Sequence, residues 1–309
     1  MSRGTAIYAG KRLLLVLGTA VIVSSVTFLL VHSLAGNPFT CEHNPAGCAH
    51  EAQVHGLNDP LIVQYRTFMW NLLHGDLGSS YVNQGVQVMP LLIKEAGNSL
   101  ILGLFAIIVT IVVGLIIGIT AAMKQNTWVD YSLSSFVVFG YSVPSFVLAT
   151  FLIILTAILL PNWASSIGWG APEQIPIPAI ALGLPYAAIV ARLVRASMLD
   201  VIRQDYVRTA WAKGLSSRVV VIRHALRNAL IPVITIGGPL VTGIITGSVV
   251  IETIFGVPGL GKEFVLSILT RDYGIVVGLY TFYAILVGLA NLGVDLIYPV
   301  LDPRIRYSS

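Results

Sequence analysis

The chain has 309 residues, of which 56% are hydrophobic and only 10% are charged. Soluble domains carry about 25% charged residues, so this chain has too few to cover a surface in contact with water. Its mean hydropathy of +0.84 argues against a soluble enzyme, and disordered chains are polar and rich in charge. The net charge of +4 is too small to indicate a nucleic-acid-binding protein. The composition predicts an integral membrane protein.

Charge-free stretches recur along the chain, and a membrane-spanning helix needs about 20 mostly apolar residues. We predict six transmembrane helices, near residues 13–35, 99–122, 135–160, 177–194, 230–251 and 274–297. The first exceeds the apolar core of a secretion signal, so we expect it to be retained. The fold class is therefore an all-α membrane protein. Its predicted domains are residues 1–98, a helix with an external loop, and residues 99–309, a five-helix core with a cytoplasmic loop at 195–228.

The placement of lysine and arginine predicts the orientation. With the N-terminus in the cytoplasm, fourteen of the eighteen basic residues fall on cytoplasmic segments. Such an excess of positive charge marks the inner side of a membrane protein. Eight of the fourteen lie between Arg192 and Arg227. We therefore expect both termini in the cytoplasm and a strongly basic loop between the fourth and fifth helices.

That basic segment predicts two short helices joined by a sharp turn. Gly214 can take the positive φ that ends the first helix, and Ser216 or Ser217 can cap the second. Apolar residues at helical spacing predict the buried stripe of the second helix: Leu215, Val219, Ile222, Leu226 and Ala229. The element suits either a knob that docks on a cytosolic partner or a basic loop lying on anionic lipid. The residues alone do not decide between them.

A family resemblance favours the docking knob. The sequences RTAWAKGL at 208–215 and RHALRNALIPV at 223–233 resemble the cytoplasmic signature loop of ABC-importer permeases of the oligopeptide, dipeptide and nickel branch. Further similar blocks run along the whole chain: GNPF, LNDPLIVQY, HGDLGSSY, AAMKQNTWVDY, GIITGSVVIETIFGVPGLG, RDY and LDPRIRY. The chain is most similar to the B-type oligopeptide permeases. It departs from the broad signature, which begins Glu-Ala-Ala, because it has Arg208-Thr209-Ala210.

The resemblance implies a type I ABC-importer permease fold in the bacterial cytoplasmic (inner) membrane. It implies that the loop couples to an ATP-binding subunit through seven residues: Arg208, Thr209, Ala210, Ala212, Lys213, Gly214 and Leu215. It also implies the partners, which are a second homologous permease, two ATP-binding subunits, an extracytoplasmic substrate-binding protein and membrane lipid, with no nucleic acid. ATP and Mg would be bound by the ATPase subunits, and this chain would hold no cofactor or metal.

One motif resembles a nucleotide-binding loop but lacks a required residue. The stretch from Gly256 to Lys262 nearly matches the P-loop GxxxxGK[ST], yet Glu263 stands where a serine or threonine must bind Mg²⁺. No predicted strand precedes it, and the topology places it outside. We expect a glycine- and proline-rich turn that joins the fifth helix to a short external helix, and no enzymatic activity.

Two cysteines, Cys41 and Cys48, fall in the first external loop, where a disulfide is permitted. His43 and His50 lie beside them, so free thiols and a metal site remain alternatives to the disulfide.

Three readings of the function follow. The first is a permease subunit of an ATP-driven importer for oligopeptides or dipeptides, forming half of the translocation pathway. The same scaffold would also serve nickel or another small solute, and a stand-alone secondary carrier or channel is the second class. A membrane enzyme is disfavoured because HExxH, GxSxG and CxxC are absent from the sequence.

Overall fold

The computed structural model describes residues 3–33, 52–54, 56–83, 85–160 and 167–301. Helices account for most of these residues: α1 Arg3–Ser33, α2 Leu61–Leu73, α3 Val88–Met123, α4 Trp128–Ser142, α5 Ser145–Leu159, α6 Pro176–Ile202, α7 Asp205–Ala212, α8 Ser217–Val219, α9 Leu226–Ala229, α10 Ile231–Thr235, α11 Gly237–Phe255, α12 Leu260–Leu269 and α13 Tyr273–Leu301. A π-helical turn at Val220–Ala225 joins α8 to α9, and a 3₁₀ turn at Pro172–Gln174 precedes α6.

Within the described residues, five helical segments are long and apolar enough to cross a membrane: Ile7–Ser33, Val88–Met123, Pro172–Ile202, Gly237–Phe255 and Tyr273–Leu296. The consecutive helices α4 and α5 form a sixth span if they count as one broken helix, since they are bent by 110°. The predicted all-α membrane fold is confirmed. Helices of this length satisfy their own backbone hydrogen bonds, which lipid cannot do.

The third predicted span differs most from the structure. The sequence predicts one helix near 135–160, whereas α4 ends at Ser142 and α5 begins at Ser145. Val143 is extended, with φ −81° and ψ 124°. The residue before a proline is disfavoured in helical backbone, so Pro144 breaks the helix here.

Contacts divide the chain into two compact units, and the first comprises residues 1–99 and 258–292. In it, α1 packs against α13 through a hydrogen bond between the buried hydroxyls of Ser24 and Thr281, 2.7 Å apart. Gly288 makes close packing possible, because a Cβ there would lie 2.6 Å from Val16. These small residues let the two helix backbones approach.

The same unit anchors a loop on the start of α13. The buried carboxylate of Asp272 accepts hydrogen bonds from the Ser80 hydroxyl and from the backbone N–H of Tyr81 at 3.0 Å. It also accepts a bond from the N–H of Ile275, at the first turn of α13. Burial, and then the nearby Asp272 carboxylate, raise the pKa of Tyr81 to about 12. The loop is therefore held by one carboxylate that also caps a helix.

The second unit comprises residues 100–257 and 293–308. Its centre is α6, which packs on α3 through three glycines whose added Cβ atoms would collide with the facing helix: Gly114, Gly118 and Gly183. A Cβ at Gly118, for example, would lie 2.7 Å from the carbonyl oxygen of Ala191. The predicted domain division at residues 98 and 99 remains a prediction.

Candidate functional site

The segment with the sequence signature lies directly after α6. It consists of α7, a tight turn, and the irregular helix formed by α8, the π-helical turn and α9. The hydroxyl of Tyr206 accepts a hydrogen bond of 2.7 Å from the side-chain amide of Asn228, which ties the two arms together. The predicted pair of short helices joined by a sharp turn is present. We call residues 205–229 the helix–turn segment.

The turn depends on Gly214. Its φ is +74°, a value that glycine adopts without strain. The N–H of Gly214 bonds to the carbonyl of Trp211 at 2.9 Å, and the N–H of Leu215 bonds to that of Ala210 at 3.4 Å. This pair of bonds is the Schellman motif that ends helices. No atom lies within 4 Å of an added Cβ, so conformation, and not space, requires the glycine.

The inner face of the segment is apolar and shared with two long helices. Val207 is fully buried and Ala210 is nearly so. They belong to one hydrophobic cluster with residues of α3, of α6 and of the second arm: Ala122, Val190, Val194, Met198, Val201, Val220, Val221, Ala225 and Ala229. A displacement of the segment would therefore act directly on the ends of α3 and α6, since close-packed cores transmit strain.

The predicted apolar stripe of the second arm holds at Leu226 and Ala229, which pack in the cluster, and is wrong at Leu215, Val219 and Ile222. Val219 and Ile222 are exposed, while Val220 and Val221 are buried. The π-helical turn explains the shift, because its i→i+5 hydrogen bonds insert residues relative to an α-helix and rotate the buried face. Ser216 occupies the predicted N-cap position, but its side chain makes no capping hydrogen bond.

Five of the seven predicted coupling residues form an open surface. The side chains of Arg208, Thr209, Ala212, Lys213 and Leu215 are exposed. Ala210 packs inward, and Gly214 shapes the turn, so these two support that surface from behind. Exposed cations occur along the segment and just before it: Arg203, Arg208, Lys213, Arg218, Arg223 and Arg227. Within the described part of the chain no carboxylate forms an ion pair with them. The outer surface is therefore exposed and positively charged.

A partly buried ion pair lies at the same end of α6. The guanidinium of Arg195 donates two hydrogen bonds of 2.7 Å to the two carboxylate oxygens of Asp130, on α4. The N–H of Asn126, in the turn between α3 and α4, adds a third bond at 3.0 Å. Sequence reasoning missed this pair. In the sequence the pair is visible only as a single acidic residue beside one apolar stretch, Asp130, and a single basic residue beside another, Arg195.

Helix α11 carries a line of hydroxyls on an open face. Thr242, Thr246 and Thr253 fall within 40° of one another on the helix, and the last two are exposed. Behind this helix, Tyr186 of α6 packs on Gly243, where an added Cβ would lie 2.9 Å from its ring. Sequence reasoning noted the glycines of α11 but not the threonine face.

The remaining predicted features have separate outcomes. Residues 256–259 form the predicted turn: Gly256 has φ +72° and ends α11, and α12 begins at Leu260, with Glu263 in its first turn. Cys41 and Cys48, with His43 and His50, lie outside the described residues, so their disulfide, thiol and metal alternatives stay predictions. In the described residues no three His, Cys, Asp or Glu side chains are grouped to hold a metal.

Comparisons with known proteins agree with this architecture. Residues 111–307 match the family model described as "Binding-protein-dependent transport system inner membrane component". The dipeptide transport system permease protein DppB of Bacillus subtilis (strain 168) is 41% identical over 302 residues, covering 97% of each chain. The oligopeptide transport system permease protein OppB of Escherichia coli (strain K12) is 41% identical over 302 residues, covering 96% of this chain and 98% of that protein.

A solved structure is similar in fold. A chain of the MetNI methionine ABC transporter, in an inward-facing conformation, superposes with a TM-score of 0.59 at 19% identity. The match covers 69% of this chain and 97% of that one. At this identity the likeness concerns the fold alone, which is that of type I ABC-importer permeases.

Proposed function

Because the chain belongs to the family of inner membrane components of binding-protein-dependent transport systems, we propose that it is one permease subunit of an ATP-driven importer for oligopeptides or dipeptides. One observation carries the substrate class. The similarity to a dipeptide and an oligopeptide permease extends over nearly the whole length of each chain at 41% identity. The chain is an inner-membrane permease component, and the peptide is the proposed cargo.

We further propose that ATP and Mg²⁺ are bound by separate subunits. The segment that resembles a P-loop supports this, because it is a helix-connecting turn with Glu263 at the position of the Mg²⁺ ligand. The complete importer would then contain two ATP-binding subunits, a second homologous permease and an extracytoplasmic substrate-binding protein. Both termini of this chain, and its helix–turn segment, would face the cytoplasm.

The helix–turn segment is the proposed site of coupling. Arg208, Thr209, Ala212, Lys213 and Leu215 would contact the ATP-binding subunit, with Ala210 and Gly214 holding the surface in shape. Thr209 and Ala212 permit a close approach, and the two cations suit an acidic groove. The support is geometric: the outer surface is open, and the inner surface shares its core with α3 and α6. Movement of the ATP-binding subunit would be transmitted from the helix–turn segment directly to α3 and α6, because they share one core.

The threonine face of α11 is the proposed contribution to the translocation pathway. A polar face on a membrane-spanning helix is disfavoured against lipid and suited to a hydrated path or a partner subunit. The hydroxyl of Thr246 donates to the carbonyl of Thr242, and that of Thr253 to the carbonyl of Val249. Each hydroxyl oxygen keeps the capacity to accept a bond from a peptide N–H or from water.

Uptake by reconstituted protein tests the cargo. The full-length chain is purified from membranes with the subunits that accompany it, and the complex is placed in lipid vesicles with its binding protein. We expect uptake of a labelled dipeptide or oligopeptide that unlabelled peptides compete away and that nickel ions do not. Uptake of nickel without uptake of peptide would establish the alternative cargo.

A further inference from the structure

The helix α2 has an apolar face that its own unit leaves open. At 100° per residue, its positions divide into two sides. The packed side includes Tyr65, Phe68 and Leu72, which contact the clusters around α1 and α13. The other side exposes large apolar residues: Ile62 is 71% exposed, Trp70 65% and Leu73 77%. The surface helix of a soluble protein typically places most of its apolar residues on the packed side.

The open face of α2 carries few polar side chains. Gln64 lies on the packed side, where its amide donates hydrogen bonds to the backbone carbonyls of Leu57 and Asp59. The open face carries Arg66 as its single charge, and the helix contains no acidic residue. Arg66, Thr67, Met69, Trp70 and Leu73 line a shallow groove along it. The face is thus apolar with one cation and one tryptophan.

Contacts with α1 and α13 fix the level of α2 along the membrane-spanning segments. The Tyr65 hydroxyl bonds to Ser25 at 2.8 Å, and the Phe68 ring stacks on Phe28 with centroids 5.5 Å apart. Ser25 and Phe28 lie in the last nine residues of the span that ends at Ser33, a rise of about 12 Å along the helix. The cluster also includes Tyr273, the first residue of the last span. Helix α2 therefore sits where two spans end.

We propose that α2 lies in the membrane interface, with its open face buried among lipid headgroups and the upper acyl chains. Three observations meet here: the level of α2 at the ends of two spans, the large apolar side chains left open, and the pairing of tryptophan with arginine. Helices that lie in the interface combine an apolar face with basic residues, and tryptophan is enriched at that depth. The occupant is lipid, with Arg66 directed to its phosphate.

Such a helix would hold the loop that follows it at a constant depth relative to the membrane surface. Its C-terminus leads within a few residues to the stretch that Asp272 anchors on α13. Lipid on one side and the α1–α13 pair on the other would hold α2 at a constant depth. This role is independent of the transported cargo and of the energy source.

Fluorescence quenching of Trp70 tests the proposal. The other four tryptophans, Trp128, Trp163, Trp169 and Trp211, are replaced by phenylalanine in the full-length chain. The protein is reconstituted with lipids brominated near the carboxyl end or near the methyl end of the acyl chain, and iodide is added as the aqueous quencher. We expect the shallow bromines to quench Trp70 most strongly.

Matched variants give the reference points. In a tryptophan-free background, Asn58→Trp places the probe in the exposed turn that precedes α2, and Leu14→Trp places it within α1. Iodide should quench Trp70 severalfold less than the Asn58→Trp probe, because lipid covers the open face. Quenching by iodide as strong as at Asn58→Trp would show a water-facing helix and overturn the proposal. Protection from both iodide and bromine would show a protein partner on the face, which overturns it too.

Discussion

Arg195 and Asp130 form a bidentate ion pair that joins α4, the first helix of the broken pair, to α6, which leads into the helix–turn segment. The Asp130 carboxylate is almost fully buried, whereas the Arg195 side chain is 31% exposed. Val194, beside the arginine, belongs to the cluster that also contains Val207 and Ala210 of α7. The pair thus links α4 to the part of α6 that packs against the proposed coupling segment.

Removal of one partner should destabilise the protein more than removal of both. Asp130→Asn leaves a guanidinium without its carboxylate, and we expect a cost of about 1–3 kcal/mol. The double variant Asp130→Asn with Arg195→Gln should recover part of that loss, because no uncompensated charge remains. Thermal unfolding of the purified complex in detergent measures each variant. Costs that simply add in the double variant would mean that the two residues do not interact.

Close packing of α3 on α6 predicts a strong effect of a single methyl group. Gly118→Ala places a Cβ 2.7 Å from the carbonyl oxygen of Ala191, so the two helices must separate. We expect a loss of about 1–3 kcal/mol, the usual cost of overpacking. Gly97→Ala is the matched control on the same helix, because nothing lies within 4 Å of its added Cβ. Equal melting temperatures for the two variants would show that the contact between α3 and α6 tolerates the added methyl group.

The anchored loop predicts a loss of stability at high pH. The pKa of Tyr81 is raised to about 12 by burial and by Asp272, above the value of 10.0 for a free phenol. Between these values the unfolded chain loses the proton and the folded chain keeps it, so stability falls as pH rises through this window. Tyr81→Phe should flatten that part of the stability curve. An unchanged slope in the variant would assign the alkaline loss to other groups.

The turn at Gly214 predicts a difference between two substitutions that both add a side chain in open space. Gly214→Ala must hold a positive φ, at a cost of about 1–2 kcal/mol, and should reduce the amount of ATP-binding subunit that co-purifies. Asparagine tolerates this conformation, so Gly214→Asn should retain more of the subunit than Gly214→Ala. Quantitative mass spectrometry of the purified complex compares them. Equal retention in both would remove the turn conformation from the coupling argument.

The sequence predicted the parts of this fold that depend on local chemistry. Long charge-free runs identify the membrane helices because lipid allows few alternatives. The turn at Gly214 was also predictable, because a positive φ strongly favours glycine.

Other features depend on contacts between distant residues or on irregular backbone. The Asp130–Arg195 pair joins residues 65 positions apart, and a single sequence carries no sign of their contact. The π-helical turn moved the buried face from Val219 and Ile222 to Val220 and Val221. Periodicity assumes 3.6 residues per turn throughout and therefore misplaced it. The break at Val143 had a local signal in Pro144, which the apolar run obscured.

ATP-driven peptide uptake by a coupling-surface variant tests the central claim most directly. The variant combines Arg208→Glu with Lys213→Glu, which reverses two exposed charges and leaves the buried face of α7 intact. The control is Lys124→Glu, an exposed cation in the turn between α3 and α4. We expect uptake to require ATP, to fall about tenfold in the double variant, equivalent to about 1.4 kcal/mol, and to stay unchanged in the control. Uptake that persists without ATP, or that the double variant retains in full, would contradict the account.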